Sequence, residues 1–211
     1  MKKYFEIRYK YDAGRQKVWK AICEYIQKDI PILSTVLDLG AGYCDFINQI
    51  VASKKYALDV NRDVQDYCLP EVHFLHSNVS EIGIPDQSAD VVFASNLLEH
   101  LKEDVLSSLF AELRRILRSG GLLILVQPNY YYCYRRYWDD FTHVKAYTHE
   151  SLPDMLLSMN YRIKRIEKRF VPFSFQACPI RSYLLTRFYL ALPWRPFAAQ
   201  MLIVAQKGEE E

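Results

Sequence analysis

The residues that could do chemistry begin at a glycine-containing turn near the start of the chain. An apolar run, Val36-Leu37-Asp38-Leu39, leads into Gly40-Ala41-Gly42, and the chain has only seven glycines in 211 residues. Glycines directly after a strand-like run indicate a sharp turn whose backbone approaches a ligand. Asp59 stands 19 positions beyond Gly40, at the end of the next strand-like run. A carboxylate there can accept hydrogen bonds from both hydroxyls of a ribose.

The acids around this turn discriminate between two ligands that contain a ribose. The dinucleotide pattern G-x-G-x-x-G requires a third glycine, and Asp45 occupies that position. A helix N-terminus favours anions, but Asp38 and Asp45 would repel a pyrophosphate. Both acids suit a ligand that carries a sulfonium and an ammonium group and no phosphate. The turn therefore favours S-adenosylmethionine over NAD, and an NAD-dependent oxidoreductase is the disfavoured alternative.

Histidines and acids further along the chain could handle a proton. Segment 128–143 is predicted to be a loop and is dense in aromatic and polar side chains. Such a loop suits the wall of a site that binds a sugar ring or a planar acceptor. His143 is the first candidate for a general base because imidazole titrates near neutral pH, and Asp139 or Asp140 could orient it. His100 is the rival, with a structural role as its alternative. The Asp139, Asp140 and His143 group could also hold a metal, but so small a group is thin support and we predict no metal site.

The elements that must position these residues alternate along the chain. Short apolar runs predict strands, and longer runs with helical spacing predict helices between them. This alternation is typical of an α/β fold with a mainly parallel sheet. The predicted strands are 36–39, 56–60, 72–75, 89–95, 122–126, 161–168 and 200–207, and the predicted helices are 13–29, 45–53, 103–118 and 148–159.

Composition and charge restrict the class of protein. The five cysteines are odd in number and widely spaced, which argues against a disulfide framework and for a reducing cytoplasm. Neither a signal peptide nor an apolar run of membrane length is visible, so we expect a cytoplasmic location. Residues 111–208 carry 15 basic and 6 acidic side chains, or +9, which is consistent either with an anionic partner or with ordinary solvated lysines and arginines. No ordered basic stripe is evident, and nucleic acid is disfavoured as a partner.

Four segments together resemble the class I S-adenosylmethionine-dependent methyltransferases, especially the methyltransferase type 11-like group that acts on small molecules and glycans. The resemblance covers about residues 30–170 and the final strand. It implies a Rossmann-like, doubly wound seven-strand sheet, mostly parallel with an antiparallel last strand and helices on both faces. The implied cofactor is S-adenosyl-L-methionine. The segments are VLDLGAGYCDF (36–46), ALDVN (57–61), SNVSEIGIPDQSADVVFASNLLEHL (77–101) and LRSGGLLILVQPN (117–129).

The same resemblance implies a set of cofactor-binding residues at the carboxyl ends of the strands. Asp38, Gly40 and Gly42 would line the methionine part of the cofactor, and Asp59 would hold the ribose. Val60, Asn78 and Val79 would meet the adenine, and Asn96 would sit beside the cofactor backbone. Two positions depart from the family, since Cys44 stands where a third glycine is common and Asn78 where an aspartate is common.

The implied activity is methyl transfer to a small-molecule or glycan acceptor at oxygen, with His143 and Asp140 as catalytic residues. Segment 137–152 is similar to one in bacterial methyltransferases associated with cell-surface polysaccharide synthesis. Two alternatives stay open: a non-catalytic protein of the same fold that binds S-adenosylmethionine as a scaffold, and a methyltransferase that acts on a macromolecule.

We expect one domain over 1–211, with a helical cap (1–33), a cofactor-binding core (34–170), an insertion or lid (171–199) and the last strand (200–207). Within the insertion, 182–192 is apolar with arginines spaced around it. It is either a basic amphipathic helix that makes peripheral contact with the inner face of a membrane, or a lid or dimer face. The second interpretation is slightly favoured, and monomer or homodimer both fit.

Overall fold

The computed structural model describes residues 12–173 and 181–209. Within them, seven strands form one sheet in the order β3-β2-β1-β4-β5-β7-β6. Strands β1 to β5 pair in parallel, and β7 runs antiparallel to both of its neighbours, β5 and β6. The predicted mostly parallel sheet with an antiparallel last strand is confirmed. The strands are β1 (Thr35–Leu39), β2 (Lys54–Asp59), β3 (Val72–His76), β4 (Ala89–Ser95), β5 (Leu117–Pro128), β6 (Tyr161–Pro172) and β7 (Ala198–Lys207).

Helices cover both faces of the sheet because successive strand residues point to opposite sides. Leu37 and Leu39 of β1 belong to the core beneath α2 and α4. Val36 belongs to the opposite core, beneath α1 and α5. The predicted doubly wound arrangement is therefore confirmed. The helices are α1 (Ala13–Ile26), α2 (Glu103–Ile116), α3 (Tyr130–Tyr137), α4 (Ser151–Ser158) and α5 (Tyr183–Ala191).

The predicted helix at 45–53 is wrong. Residues 42–49 form consecutive turns, and Gly42 and Cys44 both have positive φ, at 54° and 55°. A right-handed helix excludes that backbone conformation, so no helix can include Gly42 or Cys44, and from Asp45 the chain continues as turns until shortly before β2 begins at Lys54. The segment instead stacks Phe46 on Phe93 of β4, with ring centroids 3.6 Å apart.

Two further boundaries differ from prediction. The loop predicted at 128–143 contains helix α3, whose buried Cys133 and Tyr137 lie on its inner face four residues apart. The helix predicted at 103–118 ends at Ile116, and β5 begins at Leu117 and includes Gly120 and Gly121. Of the segment predicted as an insertion, 174–180 lie outside the described residues, and α5 packs against α1.

Candidate functional site

The glycine turn is held against the end of β2 by backbone hydrogen bonds. The N–H groups of Gly40 and Ala41 donate to the Leu58 carbonyl, at 2.8 and 3.1 Å. Gly40 and Gly42 have φ of +66° and +54°, which L side chains rarely adopt. A Cβ atom added at Gly42 would come no closer than 3.9 Å to its nearest neighbour, the Gly40 carbonyl. The turn therefore presents open backbone at the carboxyl end of β1.

Asp59 joins the turn to the end of β2. Its Oδ2 accepts a hydrogen bond from the Gly42 N–H at 3.0 Å, and its Oδ1 accepts one from the Asn61 N–H at 2.8 Å. Burial raises the pKa of this carboxyl, against the lowering effect of the backbone N–H groups. Each carboxylate oxygen has a second lone pair, so the group can still accept bonds from two hydroxyls.

Asp38 lies beneath the turn rather than on its surface. The side chain is 3% exposed, and its carboxyl accepts a hydrogen bond from the Ile47 backbone. Burial, and next the neighbouring Asp59 charge, raise its pKa well above the usual range. Its role at the methionine part of the cofactor stays a prediction.

Asp45 is compensated by a cation. The Arg15 guanidinium of α1 donates to its Oδ2 from Nε at 3.0 Å and pairs with it from a second nitrogen at 3.0 Å. Burial raises the pKa of Asp45, while Arg15 opposes that rise. Asp45 therefore does not offer an unpaired negative charge to a ligand. The predicted discrimination against pyrophosphate therefore rests on Asp38 and on the lack of a third glycine.

The predicted adenine residues lie at the ends of β2 and β3, on the same edge of the sheet as the turn. Val60 and Asn78 are exposed, and the Asn78 Oδ1 accepts a hydrogen bond from the Ser80 N–H at 2.7 Å. The Val79 side chain is buried in the core, so only its backbone can face a ligand. Asn96 follows β4 with φ of +50°, and its N–H donates to the Val126 carbonyl at 2.9 Å.

The two candidate histidines lie side by side. The rings of His100 and His143 have centroids 4.9 Å apart. Nδ1 of His143 lies 2.7 Å from the Tyr137 carbonyl oxygen. A carbonyl only accepts, so Nδ1 carries the proton and Nε2 is the basic nitrogen of this ring.

Asp140 supports His100 through Thr142. Its Oδ1 accepts hydrogen bonds from the Thr142 hydroxyl at 2.6 Å and the Thr142 N–H at 3.0 Å. The Thr142 hydroxyl oxygen in turn lies 2.9 Å from Nδ1 of His100. The sequence predicts that Asp139 or Asp140 orients His143; the Tyr137 carbonyl oxygen lies at Nδ1 of that ring, and the orienting role of either acid stays a prediction.

Glu99 is a site residue for which sequence patterns held no signal beyond its place beside His100. Its side chain is 1% exposed, and burial raises its pKa to about 8. Its carboxylate and the ring nitrogens of His100 and His143 offer three ligand atoms within 4.8 Å of one another. Such a set could hold a divalent cation. The expected absence of a metal stays a prediction.

Aromatic side chains of α3 form an exposed surface that adjoins the histidines. Tyr131, Tyr134 and Trp138 are 64%, 52% and 54% exposed. Trp138 directly follows Tyr137, whose carbonyl holds His143.

Asn129, at the start of this helix, is fully buried and bonds the His149 ring and the Lys168 carbonyl.

The chain resembles known proteins both in a segment of its sequence and in its fold. A family model described as a methyltransferase domain matches residues 37–125. A protein of Mycolicibacterium smegmatis, named "Probable S-adenosylmethionine-dependent methyltransferase", is 31% identical over 93 residues. That match covers 43% of this chain and 35% of the relative, so it spans about a third of the relative's length.

Solved structures resemble nearly the whole chain. A SAM dependent methyltransferase from Archaeoglobus fulgidus superposes with a TM-score of 0.65 at 21% identity, over 90% of this chain and 94% of that one. A SAM dependent methyltransferase from Aquifex aeolicus gives a TM-score of 0.60 at 18% identity, over 92% and 93%. At these identities the likeness concerns the fold. Over residues 37–125 the chain is therefore similar to the methyltransferase domain, and its fold is that of the solved methyltransferase structures.

Proposed function

We propose that this protein transfers a methyl group from S-adenosylmethionine to an oxygen of a small-molecule or glycan acceptor. The observation that carries the proposal is the Asp59 carboxylate, which two backbone N–H groups fix beside an open glycine turn. The donor set fits the cofactor, because it offers carboxylate oxygens to a ribose and no cluster of cations to a phosphate. When bound, the cofactor supplies an electrophilic methyl group on a positively charged sulfur.

The chain's own residues would hold the acceptor and take its proton. We propose that Nε2 of His143 accepts the hydroxyl proton, since the Tyr137 carbonyl holds the opposite nitrogen as N–H. Asp140 acts as a positioning residue, because it fixes Thr142 and through it His100, which packs against His143. The exposed rings of α3 suit a sugar or a planar acceptor, which supports the proposed acceptor class.

Calorimetric titration of S-adenosylmethionine into the wild type and an Asp59→Asn variant tests the cofactor assignment. The variant keeps the size of the side chain but removes its charge. A hydrogen bond to a charged group contributes about 1.5–3 kcal/mol, so we expect a ten- to hundred-fold loss of affinity. Asp66→Asn, an exposed acid in the segment that follows β2, is the matched control and leaves the affinity unchanged. Equal affinities in the wild type and Asp59→Asn would contradict the assignment.

Release of S-adenosylhomocysteine in the presence of glycan, phenol and amine acceptors tests the reaction itself. Turnover with a hydroxyl acceptor that falls at least hundred-fold in His143→Ala supports the proposal. Tight cofactor binding without turnover on any acceptor class would favour the scaffold alternative.

A contact surface on α5 bears on location and assembly. Leu184, Phe188 and Trp194 are 70%, 66% and 62% exposed, and Arg187 lies among them. This surface supports the proposal of peripheral contact with an anionic membrane or with a second copy of the chain. No helix among the described residues is long and apolar enough to cross a bilayer. Co-sedimentation with anionic vesicles and light scattering of the protein alone distinguish the two contacts.

A further inference from the structure

Two cysteines meet at the cofactor turn. Cys44 lies within the turn and is fully buried, and Cys68 follows the short helical segment Arg62–Tyr67 and is half-buried. Their sulfur atoms are 3.1 Å apart, across 24 positions of sequence. Even two smaller carbon atoms in non-bonded contact prefer about 3.5–4.0 Å. The two thiols therefore share a short hydrogen bond, and their sulfur atoms are close enough to react with each other.

The backbone at Cys44 adds an independent observation. Its φ of +55° lies in the left-handed region, which is unfavourable for a residue with a Cβ atom and favours glycine. Nothing in the binding of a ribose or an amino acid requires a thiol at this place. A glycine at position 44 would relieve this backbone strain. The presence of a cysteine there instead suggests that its side chain has a function.

We propose that Cys44 and Cys68 form a redox-modification site, in which a peroxide converts the two thiols to a disulfide that weakens cofactor binding. The effect on binding rests on the proposed function, whereas formation of the disulfide does not.

The chemistry is balanced by the peroxide alone. The Cys68 thiolate attacks one peroxide oxygen, the O–O bond breaks, and water leaves as the sulfur becomes a sulfenic acid. The Cys44 sulfur then attacks the Cys68 sulfur, so the S–S bond forms, the S–O bond breaks and a second water leaves. Two thiols lose two electrons in total, and the peroxide gains them. Cys68 suits the first step because it is partly exposed, and a hydrogen bond from the Cys44 thiol lowers its pKa.

The disulfide would disturb the site through the turn. An S–S bond is about 2.05 Å long, so the sulfurs must approach by about 1 Å. Gly42, two residues before Cys44, donates to Asp59, and Asp45, directly after it, is paired with Arg15. A displacement of the turn therefore reaches the Asp59 carboxylate, and we expect affinity for S-adenosylmethionine to fall at least ten-fold.

Peptide mapping and calorimetry test the proposal on the full chain. The protein is treated with hydrogen peroxide and its free thiols are blocked. Trypsin then cleaves at Lys54, Lys55 and Arg62, which separates the two cysteines onto different peptides. We expect these peptides to be linked, the affinity for S-adenosylmethionine to fall at least ten-fold, and a dithiol reductant to reverse both changes. Cys133→Ser, which removes a buried thiol of α3, should leave both effects intact.

The outcomes are separable. Cys68→Ser should bind the cofactor like the reduced wild type and lose all sensitivity to peroxide. If this variant does not fold, reversal by the dithiol on the wild type carries the same test. Absence of the linked peptides, or linkage without loss of affinity, overturns the proposal. A reduced wild type that does not bind S-adenosylmethionine contradicts the proposed function, while the mapping still decides whether the disulfide forms.

Discussion

Replacement of Glu99 by glutamine should make the protein more stable at neutral and alkaline pH. The Glu99 side chain is 1% exposed, and its Oε2 has no hydrogen-bond partner among the residues that the structure describes. Its Oε1 lies 4.0 Å from Nε2 of His100, too far for a hydrogen bond. Burial raises the pKa of this carboxyl from 4.5 to about 8. The folded protein therefore retains a proton that the unfolded chain has already released over this pH range.

The sign and size of the effect follow from this difference in bound protons. Where the folded state holds one more proton than the unfolded state, the free energy of unfolding falls by about 1.4 kcal/mol for each pH unit. Between pH 5.5 and 7.5 the Glu99 carboxyl alone should therefore lower it by about 2–3 kcal/mol. The neutral amide of Glu99→Gln does not titrate, so the variant should gain that amount on the wild type over the same interval.

Urea unfolding of both proteins at pH 5.5, 6.5 and 7.5, in the presence of a chelator, measures the difference. Glu81→Gln, which removes an exposed carboxylate, is the control and should stay within about 0.5 kcal/mol of the wild type. If the difference in the free energy of unfolding between Glu99→Gln and the wild type does not grow with pH, the buried Glu99 carboxyl is not protonated in the folded protein and the reasoning is refuted.

Three further predictions concern the turn and the histidines. Arg15→Met should lower the free energy of unfolding by about 1–3 kcal/mol in urea, because the buried Asp45 carboxylate loses its partner, and added Asp45→Asn should restore most of it. Gly40→Ala should cost about 1–2 kcal/mol, since φ is +66° and its Cβ would lie 3.3 Å from Leu97; an unchanged melting temperature would contradict this. His143→Ala should reduce methyl transfer by about 10²–10⁴-fold with cofactor affinity unchanged by calorimetry, and a parallel loss of affinity would indicate a structural role.

The strands could be predicted because their signal is local. The run 89–95 is almost wholly apolar, and β4 spans Ala89–Ser95 in the structure. The segment after β1 could not be predicted in the same way. Its apolar residues have helical spacing, but the left-handed Cys44 and the stacking of Phe46 on Phe93, 47 positions away, determine its course. Helix α3 was missed because its tyrosines have only a modest intrinsic helix preference, and buried packing stabilises the helix instead.

The cofactor-site residues could be predicted from short motifs, whereas the arrangement of the residues that handle the proton could not. Strand-end residues such as Gly40 and Asp59 meet because parallel strands align their carboxyl ends, so short motifs are enough to predict them. The histidines meet through contacts between distant parts of the chain. The Val144 N–H donates to the Glu99 carbonyl at 2.8 Å, and Thr142 contacts His100 across 42 positions. Because the rings of His100 and His143 have centroids 4.9 Å apart, substitution of one histidine alters the environment of the other. A double-mutant cycle on the pair therefore complements the single His143→Ala variant, since it measures how far the effects of the two substitutions depend on each other.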